Sequence, residues 1–216
     1  MRSTYLIAGA IVLALVAAGV LFGTDFFRKN PFHTPTEEEL LVTQITEAAS
    51  SGGGVAVTFA ARDARLWQLA GGHKLERFSL DGGDAVFARL TSSAPLDPHN
   101  FEWPSQGLSV AFPATLNNKS NGLTIEIGIV ARRTNARSPG EVAIVYATRQ
   151  AGNTGWTHLQ LTDRFQLKTF TYKVPKVERG YNSTPVLAIN ADPAGNGGSV
   201  EILGVLVRIV APSHGS

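Results

Sequence analysis

The apolar positions change their spacing twice along the chain. From Tyr5 to Phe22 (YLIAGAIVLALVAAGVLF) there is no period, only 18 residues without a charge. At roughly 1.5 Å per residue such a helix is about 27 Å long, close to the hydrocarbon thickness of a bilayer. Leu40, Leu41, Ile45 and Ala48 then fall near one helical face. Thr34-Pro35-Thr36-Glu37 supplies a cap, a proline for the first turn and an acid at the capping-box position. This predicts a short helix over 35–49, with Ser50 to Gly54 (SSGGG) as a flexible joint.

From Val55 the period becomes two, as in half-buried strands. Val55, Val57 and Phe59 alternate, and so do Leu108, Val110 and Phe112. Residues 85–90 and 142–148 read as further strands. The clearest strand covers 123–132, with Leu123, Ile125, Ile127 and Ile129 on one side and Thr124, Glu126 and Arg132 on the other. Gly-Gly pairs at 71–72, 82–83 and 197–198 mark turns. Two strands break their own phase. Phe165 and Leu167 give way to Phe170, Tyr172 and Val174, and Val200 and Ile202 give way to Val205, Val207 and Ile209. One extra residue repairs each pattern, which predicts β-bulges at Lys168-Thr169 and at Gly204. Many short strands with turns between them predict an all-β, antiparallel sandwich. The chain thus divides into a transmembrane signal anchor over 1–23, a linker with a short helix over 24–54 and a β-sandwich domain over 55–216.

Composition narrows the partners. Hydrophobic residues make up 44% and charged residues 17%, a balance that supports a folded core. The net charge is +2 and the charges are scattered, which argues against nucleic acid. There is no cysteine, so disulfides, thiol nucleophiles and cysteine metal sites are excluded. Arg2 before the apolar run and Asp25, Arg28 and Lys29 after it orient it only slightly. An uncleaved anchor and a signal peptide cut after Ala18 both fit, and both put the domain on the periplasmic or extracellular side. The run continues through Leu21 and Phe22, which favours the anchor and a single-pass membrane protein. The opposite topology, with Arg28 and Lys29 inside and the domain cytoplasmic, is the third reading.

The stretch from Phe78 to Val210 resembles the galactose-binding-like jelly-roll domains, in particular carbohydrate-binding modules. Gly82-Gly83-Asp84 opening into a strand, Gly155-Trp156 before the next, FQLKTFTYKVP (165–175), PVLAINAD (185–192) and SVEILGVLVRIV (199–210) carry the resemblance. It implies a jelly roll that binds a glycan or polysaccharide without catalysing a reaction. Such modules often hold a structural calcium beside an acidic pair in the last strand. The matching positions here are Leu203 and Gly204, which leaves Asp84, Glu201 and Asp192 as oxygen donors and no other cofactor.

Sugar clefts pair flat aromatic faces with amide, carboxylate or guanidinium groups. The ligand-binding candidates are Trp103, Glu126, Arg132, Tyr146, His158 and Asn190, with Trp67, Tyr181, Arg149 and Gln160 in support. Trp156 and Tyr172 are further aromatic candidates by type, but their positions in the strand pattern lead us to expect them in the core. No two histidines share a metal-ligand spacing, and no nucleophile elbow, phosphate loop or zinc-protease helix appears. Two functions follow: a tethered glycan-binding module, or a structural accessory subunit whose sandwich makes protein contacts within a membrane assembly.

Overall fold

The structure, a computed structural model, describes residues 34–59, 61–79, 86–100, 103–135, 138–178 and 183–210. The apolar run at 5–22, Asp84 and Tyr181 lie outside the described residues, as does the side chain of Trp103. Among the described residues no helix is long and apolar enough to cross a membrane.

Glu37–Ser216 forms one compact unit. In chain order its regular elements are helix α1 (Glu37–Ser51), strands β1 (Val55–Thr58), β2 (Trp67–Leu69), β3 (His73–Ser79), β4 (Val86–Ser92) and β5 (Leu108–Ala111), helix α2 (Ala114–Ser120), then β6 (Thr124–Arg133), β7 (Glu141–Thr148), β8 (Gly152–Asn153), β9 (Thr157–Gln160), β10 (Gln166–Lys173), β11 (Val186–Asn190) and β12 (Gly198–Ile209). Short 3-10 turns occupy Ala61–Leu66 and Trp103–Gln106. Among the described residues the strands form two antiparallel six-stranded sheets. Sheet A has the order β10-β6-β12-β4-β3, with β1 also on β12. Sheet B has the order β2-β5-β11-β7-β8, with β9 also on β7.

The period-two pattern explains the sandwich. Ile125, Ile127 and Ile129 of β6 meet Val142, Ile144 and Tyr146 of β7 and Leu187 and Ile189 of β11 in one buried core. Each strand thereby removes alternate side chains from water, which is the main driving force for pairing the sheets.

A second, smaller core lies on the outer face of sheet A. Ile45 of α1 packs with Phe87, Val130, Phe165, Leu203 and Leu206, and Leu41 and Val42 border them. Ile45 is fully buried, worth about 1.5–3 kcal/mol for a side chain of its size. The helix therefore docks on the sandwich. Its end is not a flexible joint either. The N–H groups of Gly53 and Gly54 bond back to the carbonyls of Ser50 and Ala49, and Ile209 N–H donates to Gly52 O. Gly53 takes φ +64 and closes the helix as a left-handed cap. A Cβ on Gly54 would stand 2.1 Å from Val207 O, so that position admits only glycine.

The two phase breaks have different causes. At Gly204 the register of β12 against β6 shifts, as a bulge requires. A Cβ there would meet Val57 O at 2.9 Å. In β10 the register runs without a break from Gln166 to Lys173. Phe165 and Leu167 face the second core, whereas Phe170 and Tyr172 face the first. The expected bulge at Lys168-Thr169 is absent because the strand serves two cores from its two sides.

Candidate functional site

Two groups of polar and aromatic side chains stand on the outer faces. The first lies on sheet A beside α1. Antiparallel register sets Arg89 of β4 and Arg132 of β6 on either side of Glu201 in β12. Glu201 Oε1 accepts from Arg89 Nη2 at 2.7 Å, and Oε2 accepts from Arg132 Nε at 2.7 Å. The guanidiniums lie over phenyl rings, Arg89 at 4.8 Å from Phe78 and Arg132 at 4.2 Å from Phe165. Glu38 of α1 approaches Arg132 at 4.0 Å. Each charge is thus neutralised and stacked within the fold.

The second group lies on sheet B. Val142 and Ile144 of β7 point to the core, so Ala143 points outward, and His158 of β9 stands opposite it. Trp156 shares the outward phase, two residues earlier. Together with Asn153, Gly155, Leu96, Pro98 and Pro193 they line a cleft of about 420 Å³. The outer face beside it carries the small, buried side chains of Ser109, Ala143, Val145 and Ala188. Opposite Trp156 the wall is built from two segments locked together: Leu96 N–H donates to Pro193 O, and Asp192 caps its own turn by accepting from the N–H groups of Ala194, Asn196 and Gly198.

The cleft chemistry is amphipathic. His158 Nδ1 lies 2.9 Å from Glu141 Oε1, and Gln160 Nε2 donates to Glu141 Oε2 at 3.1 Å. The imidazole remains 44% exposed, so its other nitrogen is open to a ligand. Trp156 is partly exposed, and its indole N–H is buried with no hydrogen-bond partner. An orphaned donor of this kind costs about 1–3 kcal/mol.

The other predicted site residues are placed elsewhere. Glu126 is on the outer face of sheet A and accepts from Arg208 Nε at 2.9 Å. Tyr146 is fully buried in the core and offers no face to a ligand. Asn190 is also fully buried, where Nδ2 donates to Gln106 O and Oδ1 accepts from Asp192 N–H. Trp67 stacks on Phe59 at 4.1 Å, and its ring N–H donates to Thr58 O. Trp103 opens the 3-10 turn before β5. Tyr172 O–H donates to Ala151 O at 3.3 Å, and burial raises its pKa. Glu201, expected to donate to calcium, instead receives two guanidiniums, so a cation there would meet two positive charges. Among the described residues no group of three or more His, Asp or Glu could hold a metal ion.

Glu141 and Asn153 were not anticipated. Glu141 precedes the apolar run of its strand and Asn153 sits in a two-residue strand, so neither shows a period. Trp156 had a usable signal: it and His158 are two apart, on one strand face.

No family model matches the chain, and no curated protein matches it. Solved structures it is similar to include carbohydrate-binding modules. A xylan-binding domain of Paenibacillus barcinonensis is 16% identical, with a TM-score of 0.49 over 74% of this chain and 95% of that one. The second N-terminal cellulose-binding domain of a Cellulomonas fimi β-1,4-glucanase is 15% identical, with a TM-score of 0.45 over 71% and 91%. A Cellvibrio mixtus lichenase module in complex with cellotriose is 11% identical, with a TM-score of 0.40 over 73% and 98%. At these levels none of them bears on what this chain binds.

Proposed function

We propose that the chain is a non-catalytic glycan-binding module whose site is the cleft on the outer face of sheet B. The observation that carries this reading is the cleft lining: a partly exposed indole facing a proline-rich wall, with imidazole and amide groups between them. An indole face suits the C–H surface of a sugar ring, and the polar groups suit its hydroxyls. The apolar run at 5–22 belongs to the same proposal as a tether, holding the module against a membrane and raising the local concentration of its site near an envelope or extracellular polysaccharide.

Affinity electrophoresis of the full chain against a broad polysaccharide panel tests this reading. Retention by at least one polymer is expected, and Trp156→Ala should weaken it roughly thirtyfold, the loss typical of an aromatic anchor worth about 2 kcal/mol. An accessory subunit of a membrane assembly is the second reading, favoured by the outer face of sheet A, which α1 and the Arg89–Glu201–Arg132 group fill. No retention across the panel, with a fixed protein partner co-purifying, would decide for it.

A further inference from the structure

One side of the cleft hangs on a half-buried histidine. His73 begins β3, directly after the Gly71-Gly72 turn, and is paired in register with Ser92 at the end of β4. Its Nδ1 lies 2.9 Å from Ser92 Oγ. The same Oγ accepts from Ala191 N–H at 3.0 Å. Ser92 O accepts from Gly197 N–H, and Gly72 O accepts from Ser93 N–H. Three segments therefore meet at one node: the Gly71-Gly72 turn, the strand leading to Leu96, and the 191–197 turn. The last two form the Leu96 and Pro193 wall of the cleft.

The node tolerates only a neutral imidazole. His73 Nε2 is buried with no hydrogen-bond partner among the described residues. In the neutral ring Nδ1 accepts from Ser92 Oγ–H, so Nε2 already carries the ring proton; an added proton goes to Nδ1 and places a charge on a half-buried ring. That proton turns Nδ1 into a donor, obliging Ser92 Oγ to accept from both His73 and Ala191 and to redirect its own proton. Among the described residues nothing nearby compensates. Of the charged groups on the surrounding elements, Lys74 and Glu76 pair with each other at 2.9 Å. Arg89 is bound to Glu201, and Asp192 is bound to its own turn. Arg77, Asp97, His99 and Arg133 make no ion pair with His73 among the described residues. Burial accordingly holds the His73 pKa below the ordinary imidazole value of 6.5.

We propose that His73 is a pH-sensitive pin for the cleft wall: on taking up a proton it leaves the Ser92 node, and the Leu96 and Pro193 segments loosen together. The inference deepens the cleft reading, but the loosening is a property of the wall with or without a ligand.

Amide hydrogen exchange on the full chain, at pH 7.5 and 5.0 and corrected for the intrinsic pH dependence, tests the pin directly. Protection of Leu96, Ala191 and Gly197 should fall roughly tenfold on acidification. Protection of Ile127 and Ile144 in the core should fall less. His73→Asn keeps a polar group in reach of Ser92 but cannot titrate, so its wall amides should show no such fall. If the wall amides lose protection only in step with the core, or if His73→Asn keeps the full response, the pin is wrong. Should that variant not fold, the wall-against-core contrast in the unaltered chain decides alone. A chain that binds no polysaccharide yet shows the local loosening would overturn the glycan reading and leave the pin standing.

Discussion

Sheet A and sheet B both carry aromatic and charged side chains on their outer faces, and they use them differently. On sheet A, Arg89, Arg132 and Glu201 are bound to one another and stacked on phenyl rings, and α1 closes the apolar part of the same face. On sheet B, Trp156 keeps a partly exposed ring and His158 keeps an open nitrogen beside a cleft. The lesson is that residue type does not separate a structural cluster from a site. Satisfaction does: a group whose bonds are all met within the fold supports stability, whereas one left incomplete beside open space is poised for a ligand.

The contrast can be broken most forcefully on sheet A. Ile45→Ala should cost about 3 kcal/mol in denaturant unfolding, because the second core cannot collapse around the missing atoms. Glu201→Gln should cost about 2 kcal/mol, leaving two guanidiniums with only Glu38, 4.0 Å from Arg132, as a counter-charge. That is less than for a fully buried pair, since both guanidiniums reach solvent. Polysaccharide retention should survive both changes if the sheet B cleft is the site.

Trp156→Ala should do the reverse, changing stability by less than about 1 kcal/mol while weakening retention roughly thirtyfold. The smallest effect is in pH. The folded pKa of His73 is lowered, so its neutral form favours the fold. This contribution is complete above pH 6.5 and is lost as pH falls below it. His73→Asn should flatten that part of the stability profile between pH 7 and 5, read from urea midpoints.

Much of the sandwich was legible from the chain because period-two alternation is a direct record of which side of a strand is buried. The strands around Ile125–Ile129 and Val205–Val207 announce themselves for that reason. β3 does not: Lys74, Glu76 and Arg77 occupy a half-exposed strand at the margin of sheet A, where no apolar rhythm is needed. α2 is seven residues long, too short to repeat a helical pattern. The phase break in β10 was legible but ambiguous, since a bulge and a second core leave the same trace in one dimension. The site was harder still. Tyr146 and Asn190 have the right chemistry but face inward, and Arg132 and Glu201 are partners of each other across strands 69 residues apart. His158 alone of the ligand candidates lines the cleft among the described side chains, because only register reveals that β9 carries it beside Trp156 and the Leu96–Pro193 wall.

The central claim is that ligand enters at sheet B and leaves the sheet A cluster untouched. The most direct test is a heteronuclear NMR titration of the ¹⁵N-labelled full chain with an oligosaccharide of whichever polymer retains it. The account predicts that the Trp156 indole N–H and the amides of Asn153, Gly155 and His158 shift on binding, while the Nε–H signals of Arg89 and Arg132 stay in place. Shifts centred on Arg89 and Arg132, with Trp156 unmoved, would contradict it.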